Sequence, residues 1–277
     1  MELNPEDGTR ATPASSLARR VRRAREKAGI SLRDMAAQIN FPHSYIHRIE
    51  TGKQLPSDDL AKALDRFFDA EGLFVELLEM ARDHSLPDYG RAVLAKEPLA
   101  LRIQTMTSTV VPGLLQTEDY ARELIRIGHI WDSEDQLESW VAIRMRRKQV
   151  FDRKVPPHHA VLMDEAVLKR PIGGITCMAS QLEHLLQVSE SVYSTVLVLP
   201  FSCGAHSLPG GSATLLTLED GTTVGHVEGI MVGEPVVSPD RLVKLARKFD
   251  MARSKALPEQ DSVELIRHYL RGYVSGG

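Results

Sequence analysis

Cysteine is scarce in this sequence, with only Cys177 and Cys203 among 277 residues. Two cysteines cannot build a disulfide framework or a cysteine-based zinc site, and so few of them fit a reducing cytoplasm. The sequence also lacks any apolar run close to the roughly 20 residues that a membrane helix needs. The first residues, 1–13, lack the apolar stretch of a signal peptide. We therefore expect a cytoplasmic protein.

A strong overall charge is missing too. The net charge is −3, and the content of 43% hydrophobic and 26% charged residues is ordinary for a globular protein. This composition excludes a wholly basic or disordered chain and supplies enough apolar residues for a sizeable core. A chain of this length fits about two domains, at roughly 100–200 residues each.

The charge is distributed unevenly. Between Ser15 and Lys53 there are nine lysines and arginines against three acidic residues, which leaves −9 for the rest of the chain. A basic segment joined to an acidic body is typical of a DNA-binding domain with a separate regulatory part. Charge alone does not decide the matter, because a basic helix that is simply solvated gives the same count.

The N-terminal third has the pattern of a small helical bundle. Ser31 is a predicted N-cap with Asp34 three residues later, and Gly29 and Gly52 end predicted helices. Apolar residues recur at helical spacing in each predicted helix: Leu17, Val21, Ala24 and Ala28, then Leu32, Met35, Ala36 and Ile39, then Ile46 and Ile49, then Leu60, Ala63, Leu64, Phe67 and Phe68. The predicted organisation is a flexible tail (1–15), a helix-turn-helix domain (16–83), a linker (84–98) and a second domain (99–277).

Two short helices joined by a tight turn can dock on DNA, the second in the major groove. In the helix 43–51, with Ile46 and Ile49 inward, the outward side chains are predicted to read bases: His43, Ser44, His47 and Arg48. An arginine can bind guanine O6 and N7 together. The residues placed for phosphate contact are Ser31, Arg33, Tyr45 and Lys53.

On these residues the segment resembles the Xre (Cro/repressor-type) family. The matching run is Ser44-x-Ile46-x-x-Ile49-Glu50-x-Gly52-Lys53 followed by Pro56-Ser57. The resemblance implies that Glu50 and Gly52 are structural and that positions 43, 44 and 48 face bases. Leu32 departs from the pattern, because many relatives carry a glutamine there that touches the DNA backbone. A helical bundle without DNA binding is the alternative interpretation.

Beyond residue 98 the pattern changes to mixed helices and strands. We expect strands at 99–104, 159–163 and 195–199, and a hairpin around Asp220-Gly221. Predicted helices begin after Thr117, after Ser133 (to about 151), at Met178 (to 189), after Ser238 and at Ser262. The expected fold class is therefore an all-α bundle followed by an α+β domain with a mixed or antiparallel sheet.

This second region is similar to the C-terminal domain of a group of actinobacterial Xre-type regulators that are described as antitoxin-like. The similarity lies in four runs: Val111 to Ala121, Arg144 to Gln149, Asp164 to Leu168 and Met178 to Leu186. It implies a regulatory or partner-binding role. A small partner protein encoded nearby would bind through Leu114, Leu115, Tyr120, Arg144 and Arg147.

Other polar residues give weaker signals. The histidines, including the adjacent pair His158 and His159, lack ligand spacing, so no metal or cofactor is expected. Asp164 and Glu165 follow a predicted strand, where catalytic carboxylates can lie, but nothing pairs with them at readable spacing. We expect a homodimeric, non-enzymatic regulator of transcription that binds double-stranded DNA. The alternative is an antitoxin-like interaction protein whose DNA binding serves autoregulation, and the sequence specifies neither an operator nor a ligand.

Overall fold

The computed structural model describes residues 13–85, 93–130, 132–229 and 232–275. The chain divides into two compact units, Met1–Asp88 and Tyr89–Gly277, which we call the N-terminal and C-terminal units. Most of the predicted tail and part of the predicted linker lie outside the described residues.

The N-terminal unit is helical throughout its regular structure. Its described helices are α1 (Pro13–Lys27), α2 (Leu32–Ile39), α3 (His43–Glu50), α4 (Asp58–Phe68) and α5 (Leu73–Ser85). Most of the apolar residues that recur at helical spacing meet in one core, whose largest members include Leu17, Met35, Ile46, Ile49, Leu60, Leu64, Phe74 and Leu78. Helical periodicity therefore predicted most of this core, but Ala28 is exposed and follows the end of α1.

Side-chain caps fix where several helices begin. Ser31 and Ser57 accept a hydrogen bond from the backbone N–H three residues on, at the starts of α2 and α4. Thr117 and Ser133 make the same bond in the C-terminal unit. Each bond satisfies one of the backbone donors that a helix leaves unpaired at its N-terminus. Ser238 precedes a helix as predicted, but its side chain makes no cap bond.

A six-stranded mixed sheet organises the C-terminal unit. The strands are β1 (Ala100–Thr107), β2 (His158–Asp164), β3 (Ser194–Leu199), β4 (Ser212–Leu218), β5 (Thr223–Gly229) and β6 (Val232–Val236). Their order is β3-β2-β1-β4-β5-β6. The first three run parallel, and β4, β5 and β6 continue antiparallel from β1. The predicted fold class, all-α then α+β, is confirmed.

Helices cover both faces of the parallel strands. In chain order they are α6 (Glu118–Gly128), α7 (Glu134–Arg146), α8 (Ala166–Lys169), α9 (Gly174–Ser189), α10 (Pro239–Arg253) and α11 (Glu259–Ser275). Val161 and Val196 pack with α9 and α11, whereas Leu162 and Leu199 pack with Phe249 of α10. Because both faces are buried, β2 and β3 are almost continuously apolar.

Several predicted boundaries were wrong, among them the start of the last helix, expected at Ser262 and found at Glu259, and one strand was missed. The helix after Ser133 ends at Arg146 and continues as a 3-10 helix, Arg147–Asp152, instead of reaching residue 151 as one α-helix. The helix expected at Met178 starts at Gly174, directly after Gly173, whose φ of 71° suits glycine. β6 was missed because Pro235 argues against a central strand, and β6 is an edge strand, where proline is tolerated.

Candidate nucleic-acid interface

The turn between α2 and α3 sets the angle of the second helix. Asn40 ends α2 in the left-handed conformation, with φ of 57°, and its N–H donates to the carbonyl of Ala36. Asparagine tolerates this conformation better than most residues. Pro42 then precedes α3, and its carbonyl accepts from Tyr45 and Ile46. The two short helices are thus joined by three residues, as in a helix-turn-helix.

α3 has one buried and one exposed face. Ile46 and Ile49 are each only 1% exposed and lie in the core of the unit. His43, Ser44 and His47 are exposed, and they are three of the four residues predicted to read bases. Their exposure leaves imidazole and hydroxyl groups on one side of a short helix, where hydrogen-bond donors and acceptors of base edges could meet them.

An ion pair holds α3 against α1. Arg25 donates from Nε and Nη2 to the two carboxylate oxygens of Glu50, at 2.6 and 2.8 Å. The same guanidinium donates to the carbonyl of Ile30 at 3.2 Å. The hydrogen bond to Glu50, together with the charge of that carboxylate, raises the pKa of Arg25 above its ordinary value. Both side chains are largely buried, so the pair fixes the end of α3 from inside the bundle.

The fourth residue predicted to read bases, Arg48, is half-buried, and contacts with Gln54 and Tyr45 hold its side chain in place. Its Nε donates to the side-chain oxygen of Gln54 at 2.8 Å, and its guanidinium carbon lies 5.9 Å from the centre of the Tyr45 ring. Gln54 was not singled out from the sequence, because no periodicity places a loop residue beside α3. Gln54 and the ring restrict the rotamers of Arg48, which lowers the entropy lost when a guanidinium binds a flat partner.

The residues predicted to contact phosphate differ in their exposure and in the hydrogen bonds that they make within the protein. Arg33 and Lys53 are exposed. Ser31 is exposed, but its oxygen accepts from the N–H of Asp34 and donates to that carboxylate at 2.6 Å. The Tyr45 hydroxyl accepts from the N–H of Ser57 at 2.7 Å. Gly52, with φ of 71°, closes α3 where the N–H of Lys53 donates to the carbonyl of Arg48.

The positive charge of the N-terminal segment is divided between two places. Arg19, Arg20, Arg23 and Lys27 line a groove between α1 and α5. Arg22 pairs with Glu26, and Arg25 pairs with Glu50. Only Arg33, Arg48 and Lys53 belong to the α2–α3 region. The charge count therefore overstates how much positive charge lies beside the candidate reading helix.

The structure places the predicted partner-binding residues inside the C-terminal unit. Leu114, Leu115 and Tyr120 are at most 4% exposed. Arg147 forms a two-point ion pair with Glu97, at 2.7 and 2.9 Å, and Arg144 donates to the side-chain oxygen of Gln116. Three of the five side chains thus present no surface to a partner, and the two arginines bind internal groups.

The carboxylates and histidines noted in the sequence have local partners. Glu165 accepts from the N–H of Phe201 and from the hydroxyl of Tyr269 at 2.7 Å, and Asp164 accepts from the N–H of Ala166 and contacts His206. Within the described ranges, no three metal-binding side chains are grouped to hold an ion. In the same residues, no helix has the length and apolar character needed to cross a membrane.

A short capped helix, a left-handed turn and a second helix with an exposed polar face define the class of helix-turn-helix DNA-binding proteins. In agreement, a helix-turn-helix domain model matches residues 16–78. A second model, the domain of unknown function DUF5753, matches residues 91–268, and the chain belongs to this family. No curated protein and no solved structure matches the chain. The chain is thus a DNA-binding regulator that joins a helix-turn-helix domain to a DUF5753 domain.

Proposed function

We propose that this protein is a sequence-specific transcriptional regulator of the Xre type that inserts α3 into the major groove of its operator. The observation that carries the proposal is the exposed polar face of α3, with His43, Ser44 and His47 outward and Arg48 held beside them. The rigid attachment of α3 through Glu50 and Arg25 supports it, since base recognition requires a fixed helix.

Phosphate contacts would position the helix on the duplex. Arg33 and Lys53 are exposed on either side of α3 in the sequence and carry the charge for this task. The backbone N–H groups at the start of α3 add donors without charge. Contacts of this kind orient the protein equally on every sequence, so specificity rests on the side chains of α3.

The proposal includes a homodimer, in which two copies of the chain bind one operator together. One α3 offers four reading side chains, which cover only a few base pairs. Two copies related by a two-fold axis would read two half-sites about one helical turn apart, roughly 34–36 Å. The alternative is an antitoxin-like protein that binds a small partner through Leu114, Leu115, Tyr120, Arg144 and Arg147. It is less well supported, because the first three side chains are buried and the two arginines, which are half-buried, bind internal groups.

The test is selection of duplexes from a random pool by the full chain, followed by affinity measurements on the selected duplex and on a scrambled one. The variant His43→Ala/Ser44→Ala/His47→Ala should lose most of its preference for the selected duplex and keep only the part that Arg48 contributes, and it should still fold because these side chains are exposed and support no core contact. The matched control Lys62→Ala/Arg66→Ala, on the exposed face of α4, should keep the preference. A triple variant that keeps the full preference would contradict the proposed role of α3.

A further inference from the structure

The C-terminal unit contains a cavity of about 370 Å³ that the DNA-binding role does not use. It lies between the 3-10 helix Arg147–Asp152, the end of α9 and the segment that leads into β3. Its apolar walls come from Leu114, Leu115, Met145, Phe151 and Val188. This volume falls in the roughly 300–1,000 Å³ range of small-molecule sites, which are also mostly apolar with a few converging polar groups.

Two of the polar residues that line this cavity are basic, beside the neutral Gln149, Ser191 and Ser194. Lys148 and His184 both line it, and Nζ of Lys148 lies 3.4 Å from Nε2 of His184. The ammonium donates to the backbone carbonyl of Gln116 at 3.0 Å, and Gln116 is only 1% exposed. The charged end of Lys148 is therefore drawn inward, away from bulk water.

The positive charge beside the cavity is only partly balanced. Arg147 has Glu97 as a counter-charge, but Arg144 binds the neutral side chain of Gln116. Among the ion pairs found in the described residues, none includes Lys148. Asp152 also lines the cavity, but it is exposed, so water screens its charge from the buried end of Lys148.

The pKa shifts of Lys148, His184 and Arg144 agree with a site that has too little negative charge to balance them. Burial lowers the pKa of Lys148, and burial together with Lys148 lowers the pKa of His184. Burial and the neighbouring Arg147 lower the pKa of Arg144 to about 10, despite the favourable charges of Glu228 and Glu97. An anion in the cavity would favour the charged forms of Lys148 and His184, the two groups that line it.

We propose that this cavity binds a small molecule that joins an aromatic or other compact apolar body to one carboxylate, with the carboxylate held by Lys148 and His184. The apolar body lies against Met145, Phe151 and Leu115, where contact with these side chains removes it from water. A neutral molecule of the same shape gains the apolar contacts but leaves the two basic groups without a charged partner. This binding site is independent of whether α3 reads DNA.

The test uses three carboxylates of increasing size, phenylacetate, indole-3-acetate and 1-naphthylacetate, each paired with its primary amide. Calorimetric titration of the full chain at neutral pH measures both members of each pair. At least one carboxylate should bind about tenfold more tightly than its amide, since a charge-assisted hydrogen bond in a partly buried site contributes roughly one power of ten. Equal affinity, or no binding, for all three pairs overturns the proposal.

Variants locate the site. Lys148→Met should abolish the preference for the carboxylate, whereas Lys154→Met, the same substitution at an exposed lysine nearby, should preserve it. Lys148→Gln keeps an N–H that can donate to the Gln116 carbonyl, so it separates the loss of charge from a loss of folding, and it should also abolish the preference. A preference that survives in both Lys148 variants, or that falls equally in Lys154→Met, shows that the carboxylate binds elsewhere and overturns the proposal.

Discussion

The two units of this protein differ in where their characteristic polar side chains lie, at the surface in one unit and in the interior in the other. In the N-terminal unit one charged pair, Arg25 and Glu50, is buried, and the polar side chains of α3 face outward. In the C-terminal unit the polar groups turn inward: Glu97, Gln116, His159 and Gln181 are at most 4% exposed. The first arrangement suits a surface that meets a large partner, and the second suits an interior that surrounds a small one.

The same contrast explains what the sequence could predict. Outward and inward positions on a helix follow from a local period, so the exposed residues of α3 and the cap at Ser31 were predicted from neighbouring residues alone. The buried contacts of the C-terminal unit join distant residues. Glu97 meets Arg147, Thr117 meets Gln181 and Glu165 meets Tyr269, over separations of 50, 64 and 104 residues.

Such separations carry no local signal, and for this reason the internal bonds of Arg144 and Arg147, which were expected to bind a partner, could not be predicted. Five of the six strands were predicted individually, but β6 and the order β3-β2-β1-β4-β5-β6 were not. The cavity depends on that order, since Leu114, Lys148 and His184 come from three separate segments. Sequence patterns therefore located α3 and its exposed face and missed the cavity.

The largest expected effect concerns the internal ion pair of Glu97 and Arg147 in the C-terminal unit. Glu97→Gln should destabilise the C-terminal unit by about 3 kcal/mol, because Arg147 loses its buried counter-charge. Urea unfolding of the full chain, followed by hydrogen exchange to separate the two units, measures it. Glu219→Gln is the matched control, since Glu219 is exposed and lies 3.8 Å from Arg153, and it should cost less than about 1 kcal/mol. Equal losses in the two variants would show that the internal pair is not stabilising.

A second variant tests the buried pair Arg25 and Glu50 of the N-terminal unit. Glu50→Gln should cost about 2 kcal/mol in the stability of that unit, because Arg25 keeps its amide partner but loses the charge. The exposed pair Arg22 and Glu26 supplies the comparison, and Glu26→Gln should change stability by only a few tenths of a kcal/mol. If the C-terminal unit also loses protection in Glu50→Gln, the two units do not unfold separately.

The pH dependence should differ between the units. Burial lowers the pKa of His159 to about 3, far below its ordinary value. As the pH falls below about 6.5 the unfolded chain takes up a proton that the folded chain refuses, so stability decreases, by up to about 1.4 kcal/mol per pH unit. His159→Phe should flatten this slope between pH 6.5 and 4.5, as measured by urea unfolding. The adjacent, exposed His158→Phe should keep it, and an unchanged slope in His159→Phe would refute the assignment.

The smallest effect concerns the phosphate contacts of the N-terminal unit. Lys53→Ala should weaken binding to the selected and the scrambled duplex alike and reduce the slope of log affinity against log salt by about one. Lys62→Ala, on α4, should leave the salt slope unchanged. A loss confined to the selected duplex would make Lys53 a base reader instead.

The central claim is that α3 reads bases from the major groove, and one double-substitution cycle tests it most directly. Each guanine of the selected duplex is replaced in turn by 7-deazaguanine, which removes the N7 acceptor from the major groove alone. One such replacement should weaken the wild-type chain by about 1–3 kcal/mol and should not weaken Arg48→Ala further, because both changes remove the same contact. If every replacement weakens wild type and Arg48→Ala equally, Arg48 does not read guanine in the major groove.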